Sequence, residues 1–232
     1  MAPEFVLFGR TFASYGVMCA LGVLAALLTA LILTRKYGSN LIRVMALFIS
    51  GGTGAFAGAM LLHAFVTYTP KELMTLLKSG GYTPGFVYYG GLLGGLALSA
   101  LAAKAFHWYL PSLARVLVPA IPLAHAIGRA GCFLGGCCYG MLLKSGARLP
   151  VQIIESACEL LLFFLLLRLS KRREPRLIRA YLLLYAPFRF VIEFFRGDEV
   201  RGFIGVFSTS QVISLILIAF CLSSLVKKRH SA

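Results

Sequence analysis

The sequence predicts an all-α membrane protein, a bundle of about seven transmembrane helices. Three observations carry that expectation. Of 232 residues, 59% are hydrophobic and only 13% charged. Mean hydropathy is +0.85, the composition of a chain whose main solvent is lipid. Apolar runs of spanning length recur, and most basic residues fall in the short breaks between them. The formal charge of +15, from 23 Lys and Arg against 8 Asp and Glu, would point to nucleic acid if the cations lined one polar face. They sit instead as juxtamembrane charge does, so no nucleic-acid partner is expected.

A span needs about 20 apolar residues, each rising about 1.5 Å through a core of about 30 Å. Seven stretches qualify in order: 14–34, 44–67, 85–106, 113–128, 151–169, 179–195 and 206–226. The first lacks the basic start and cleavage site of a signal peptide and reads as a retained anchor. The second holds GGTGAFAGAM (51–60), and the third opens on YYGGLLGG (88–95). The fourth is short, predicted to tilt or break where the segment GRAGC begins. The fifth opens with PVQIIESACE, the sixth carries RFVIEFFRGD at its far end, and the seventh runs into Lys227, Lys228 and Arg229. With no sequence repeat and no stretch long enough for a soluble domain, residues 1–232 read as a single integral-membrane domain.

Basic loops mark the cytoplasmic side. Arg35, Lys36 and Arg43, then Lys104 and Arg115, then Arg168, Lys171, Arg172, Arg173, Arg176 and Arg179, then the C-terminal tail all fall on one side. The other side receives the N-terminus and the loops with Lys71, Glu72 and Lys78, with Arg129, Lys144 and Arg148, and with Arg196, Asp198, Glu199 and Arg201, of which only the middle one is clearly basic. The predicted topology is N-terminus outside and C-terminus cytoplasmic, in a bacterial inner membrane. Gly54 with Gly58, Gly90 with Gly94, and Gly91 with Gly95 are spaced i, i+4, a small-residue pattern that lets helix backbones approach closely.

Ionisable residues within spans are costly and face a bundle interior or a polar cavity. Here they gather toward the outer ends. Arg129 ends the fourth span inside GRAGCFLGGCCYG (128–140). Gln152, Glu155 and Glu159, at i, i+3 and i+7, share one face of the fifth helix, and Arg189, Glu193 and Arg196 share one of the sixth. Arg129 and Arg189 are forks suited to phosphate or carboxylate, and a lipid phosphate is the obvious anion. The alternative is mutual neutralisation of Arg189 and Glu193. Tyr15, Tyr88 and Tyr89 lie near the same interface. His125, one turn before Arg129, and His63, near the outer end of the second span, each read as a general base or a satisfied packing residue. Cys132, Cys137 and Cys138 read as apolar filler, a disulfide, or a reactive thiolate beside Arg129. Their C-x4-C-C spacing is not a standard zinc pattern, so no metal and no cofactor are expected.

At these residues the chain resembles the prolipoprotein diacylglyceryl transferase family, whose signature G-R-x-G-N-F-x-N-G-E-x-x-G aligns with GRAGCFLGGCCYG. SYGVM (14–18), YYGGLLGG, PVQIIE (150–155), RFVIEFFRGD (189–198) and TSQVISL (209–215) match further family blocks in order. The resemblance implies seven spans and transfer of a diacylglyceryl group from phosphatidylglycerol to the lipobox-cysteine thiol of a prolipoprotein, releasing glycerol phosphate at the outer face. It implies Arg129 and Arg189 on the lipid phosphate, with Tyr89 as the third catalytic position. It implies Tyr15, Gly90, Gly91, Gly131, Gly140, Gln152, Glu155, Glu193 and Arg196 around the substrates. The partners are then phosphatidylglycerol, the prolipoprotein signal-peptide region and membrane lipids.

Departures from the family pattern fall at Cys132, Gly135 and Cys137, where the family has Asn, Asn and Glu, and at Tyr89, where it has His. A tyrosine of ordinary pKa near 10 is a poor base at neutral pH. Two alternatives follow: a related transferase with another acceptor, or a non-catalytic phospholipid-binding protein. A small transporter is disfavoured by the single outward cluster and the lack of inverted repeats.

Overall fold

The computed structural model describes residues 3–7, 10–81, 85–171, 177–198 and 202–229, with side chains excluded at 7 and 224–229. Arg172, Arg173, Arg176, Glu199 and Arg201, used in the charge argument, lie outside the described residues, as do the side chains of Lys227, Lys228 and Arg229. The chain gathers into two compact units, each described by itself.

The first unit opens with an antiparallel hairpin of β1 (Glu4–Leu7) and β2 (Arg10–Ala13), which leads into α1 (Ser14–Tyr37). Helix α1 stops at Gly38, whose left-handed φ of 63° closes the last turn onto Thr34, and Arg35 and Lys36 complement the dipole there. Leu21, Leu24, Leu28 and Ile32 are exposed along one stripe of α1, whereas Gly22, Ala26 and Ala30 are buried on another. Small residues therefore face the protein and large apolar ones face outward. This inversion of the soluble-protein rule fits a helix surrounded by lipid.

The same unit contains α5 (Leu110–Leu117, all but its first residue), α6 (Ala120–Gly135), α7 (Val151–Lys171), α8 (Leu177–Ile192), a single 3₁₀ turn at Glu193–Phe195, and all but the first residue of α9 (Thr209–Arg229). The fourth predicted stretch is broken, but not where expected. The interruption falls at Val118–Pro119, and α6 runs on through GRAGC to Gly135. Proline has no N–H to continue the ladder and crowds the preceding turn, whereas Gly128 and Gly131 are tolerated inside a helix packed on a neighbour. A Cβ on Gly131 would lie 2.7 Å from Met18 Cβ, and one on Gly22 2.9 Å from the Ala124 carbonyl, so α1 and α6 are in backbone-close contact. Ser156 Oγ on α7 donates to the Ala126 carbonyl on α6 at 2.8 Å. At the other end Arg115 donates to the Ser170 carbonyl at 2.7 Å, and its guanidinium stacks 3.6 Å from the Tyr37 ring centre.

The second unit comprises α2 (Leu41–Thr67), α3 (Pro70–Ser79), α4 (Tyr88–Ala105) and a two-residue hairpin, β3 (Phe203–Ile204) with β4 (Phe207–Ser208). The glycine pairs read from the sequence bring α2 and α4 together. Gly54 sits against the Gly94 carbonyl, Gly58 against that of Gly90, and a Cβ on Gly95 would be 3.0 Å from the Gly51 carbonyl. Asn40 caps α2 by accepting the Arg43 N–H at 3.0 Å. Helix α3, a stretch read from sequence as loop, is amphipathic. A reciprocal Thr69–Glu72 capping box and Pro70 in its first turn define its start, and left-handed Gly80 ends it.

Described helices overlap all seven stretches read as spans. Three are long and apolar enough to cross a bilayer on length and composition: Ser14–Tyr37, Leu41–Thr67 and Leu110–Gly135, the last combining α5 and α6.

Candidate functional site

The polar interior of the first unit is built on three helices. On α7, spacing of i, i+3 and i+7 turns Gln152, Glu155 and Glu159 inward, each only 1% exposed, while Leu161 and Phe164 stay outward at 69% and 57%. Arg129 enters from the last turns of α6 and Arg189 from α8; both are buried. Glu155 receives both cations. Arg189 Nη1 donates to Glu155 Oε1 at 2.9 Å, and Arg129 Nη2 pairs with Glu155 Oε2. Arg189 Nη2 also pairs with Glu193 Oε2 at 2.6 Å and donates to Ser210 Oγ on α9 at 3.3 Å.

The chain of charge continues beyond the helix. Glu193 Oε2 lies 3.9 Å from Arg196 Nη1, and Arg196 grips Asp198 with two hydrogen bonds of 2.8 and 2.5 Å. Burial opposes the charge on Arg196, but the hydrogen-bonded Asp198 carboxylate outweighs it and moves the Arg196 pKa above its ordinary value. Three guanidiniums are thus held by three carboxylates. The expected i, i+4 pairing of Arg189 with Glu193 is present, and Glu155 adds the cross-helix link that orients both arginines. Arg129 Nε is a buried donor without a hydrogen-bond partner among the described residues.

His125 lies one helical turn below Arg129, with Nδ1 2.9 Å from Glu159 Oε1 and its ring edge-on to Tyr185 at 5.7 Å. It is tied to a carboxylate rather than alone in an apolar environment. Tyr15, 40% exposed at the start of α1, packs beside the glycines of α6: Cβ atoms at Gly131 and Gly135 would each lie 3.5 Å from it. Gly131 therefore provides close helix packing, and Gly140 does the same for the loop, where a Cβ would press on Leu149 and Val151. Tyr89, Gly90 and Gly91 belong to the second unit. There Tyr89 is buried in the first turn of α4, and Gly90 packs against Gly58.

After α6 the backbone reverses. Gly136 adopts φ 73°, Cys137 N–H returns to the Cys132 carbonyl at 3.1 Å, and Cys138 is itself left-handed at φ 55°. Gln152 Nε2 donates to the Cys137 carbonyl at 2.7 Å and fixes the turn to α7. The loop is further held by Gly197 N–H on the Tyr139 carbonyl at 3.0 Å and Met141 N–H on the Phe195 carbonyl at 2.9 Å. This reversal brings the sulfurs of Cys132, Cys137 and Cys138 within 4.8 Å of one another. Arg129 Nη1 points at Cys132 Sγ from 3.9 Å.

Spacing alone did not reveal that convergence, because it depends on two left-handed residues, one of them not glycine. Asp198 and Ser210 were also missed as site members. The nearest sequence signal for both was their place in the polar blocks RFVIEFFRGD and TSQVISL.

The chain matches the prolipoprotein diacylglyceryl transferase family over residues 3–227. It belongs to that family. A relative from Clostridium tetani named phosphatidylglycerol–prolipoprotein diacylglyceryl transferase is 36% identical over 92% of each chain. Another from Clostridium perfringens, with the same name and the number 2, is 32% identical over 91% of this chain and 89% of its own. A third, from Geobacter sulfurreducens, is 28% identical over 98% and 96%. As a diacylglyceryl transferase family member the chain is a membrane protein, consistent with its outward apolar stripes. Within the family frame, its cysteines stand at the foot of the arginine–carboxylate chain.

Proposed function

We propose that this chain transfers the diacylglyceryl group of phosphatidylglycerol to the lipobox-cysteine thiol of a prolipoprotein. The reading rests most directly on Arg129: a buried guanidinium, oriented by Glu155 beside Arg189, with Nε left over for an acceptor that none of the described residues provides. In the reaction, the thiol sulfur forms a bond to the terminal glyceryl carbon as the bond from that carbon to the phosphate oxygen breaks. The phosphate departs as glycerol phosphate, with the thiol proton passing to the phosphate or to solvent. Charge builds on the departing phosphate, and a guanidinium fixed beforehand stabilises that charge without giving up a proton.

Arg129 and Arg189 are the phosphate-binding residues in this reading. Glu155 and Glu193 orient them, Gln152 holds the rim, and Tyr15 lies beside the lipid. Gly131 and Gly140 allow the close packing that shapes the cradle, and Arg196 extends its charge. Tyr89, with Gly90 and Gly91, is assigned to substrate on the resemblance alone. Seven spans, an outward N-terminus, a cytoplasmic C-terminus and an outward-facing site in the bacterial inner membrane complete the proposal, supported by the loop-charge asymmetry.

The test is purified protein in liposomes containing labelled phosphatidylglycerol, supplied with a lipobox peptide. The expected product is a peptide thioether, absent when serine replaces the peptide cysteine. Arg129→Ala is expected to lower the rate by about 100- to 1000-fold, the cost of losing a fixed donor at a developing negative charge. A non-catalytic lipid-binding role is favoured by one feature, Tyr89 at the family's histidine position. Lipid retained with no thioether formed would select it.

A further inference from the structure

A thiol must lose its proton to attack carbon, yet the histidine that family members carry before the paired glycines is Tyr89 here. His125 on α6 is engaged by Glu159, and His63, the other histidine within a predicted span, lies on α2 in the second unit. The first unit nevertheless presents three sulfurs within 4.8 Å of one another. Four-coordinate zinc with bonds of about 2.3 Å to sulfur separates its ligands by about 3.8 Å, so small side-chain adjustments suffice. Cys132 is buried, Cys138 half-buried and Cys137 exposed, which leaves one side of the cluster open.

The backbone supports this arrangement. Cys132 lies in the last turn of α6, Gly136 and Cys138 take left-handed conformations, and the Cys137 carbonyl is anchored by Gln152 at 2.7 Å. Three thiolates around Zn²⁺ carry a net charge of −1. Arg129 Nη1, 3.9 Å from Cys132 Sγ, supplies a compensating cation and an N–H directed at a ligand sulfur, the kind of outer contact that orients metal ligands. Catalytic zinc sites keep three protein ligands and an open fourth position.

We propose that Cys132, Cys137 and Cys138 bind one zinc ion whose fourth position takes the substrate cysteine thiol. Resting on the transfer reaction proposed above, this site deepens it by identifying how the nucleophile is activated. The thiol binds Zn²⁺ and releases its proton to solvent. The bound sulfur then forms its bond to the glyceryl carbon, the carbon–oxygen bond to phosphate breaks, and the phosphate oxygen keeps that electron pair. The thioether is a weaker ligand than the thiolate and leaves zinc for the next thiol. No oxidant or reductant is consumed.

The test uses the full-length protein, purified reduced in detergent. Expected are one zinc per chain and, after exchange for Co²⁺, four-coordinate visible bands with sulfur-to-metal charge transfer. A cysteine lipobox peptide is expected to change those bands and its serine counterpart to leave them unchanged. Cys137→Ser, at the exposed ligand, is expected to weaken zinc binding by more than the roughly 10- to 100-fold typical of losing a supporting group. Cys158→Ser, on α7 outside the cluster, is expected to retain zinc. Stripping zinc should abolish thioether formation, and restoring it should recover the rate.

A reduced chain that binds no zinc overturns the site, as does full transfer by metal-free protein, although the latter leaves the transferase reading intact. Peptide-dependent cobalt bands without any transfer support the site and sink the transferase reading. A native disulfide between two of the three cysteines, found by mass spectrometry of alkylated unreduced protein, also overturns the site.

Discussion

Arg129 was recognisable from sequence as an expensive residue, and its neighbours explain how the expense is met. The i, i+3, i+7 spacing of Gln152, Glu155 and Glu159 was enough to place them on one inward face, and all three are buried. What the spacing did not contain was Glu155's double role across α6 and α8, because pairing between helices depends on packing. Glu155→Gln leaves two buried guanidiniums short of countercharge, and losing one partner of a buried pair costs about 3–5 kcal/mol. A fall in thermal midpoint in detergent, larger than that from Gln152→Ala, is the expected result. The cysteines were legible as a group but not as a cluster, since Cys138's left-handed backbone is not a conformation that residue type announces.

Helix α2 shows what can be read at the scale of an element. Its glycines announced a close contact, and the structure supplies the partner: Gly58 lies on Gly90 and Gly94. Gly58→Ala puts a methyl group into that backbone contact and is expected to cost about 1–3 kcal/mol as overpacking. Gly52→Ala, with nothing within 4 Å of the added carbon, is expected to be neutral or stabilising in the same thermal assay. The opposite lesson comes from α3, whose ten residues are too short and polar to register as a span in the sequence. Its capping box lowers the pKa of Glu72 below the ordinary 4.5, chiefly through the Thr69 backbone N–H. That contribution is therefore present above the ordinary carboxylate range and is lost as pH falls through the lowered value. Amide exchange across α3 should accelerate in acid beyond the intrinsic effect of pH, and Glu72→Gln should remove that dependence.

At the scale of the whole molecule, composition and the recurrence of apolar runs were sufficient for the membrane class, and described helices overlap each of the seven runs. Helix breaks were less legible. Proline at 119 interrupts the fourth stretch, whereas glycine-rich GRAGC continues as helix because α1 packs against it. In the proposed reaction the arginine–carboxylate cradle directs displacement of a lipid phosphate by a thiol. Phosphorus NMR and mass spectrometry on one reaction in phosphatidylglycerol liposomes test it most directly. One glycerol phosphate is expected for each peptide thioether formed, with both products lost together in Arg129→Ala. Glycerol phosphate released without thioether, or both formed at the full rate by Arg129→Ala, would contradict it.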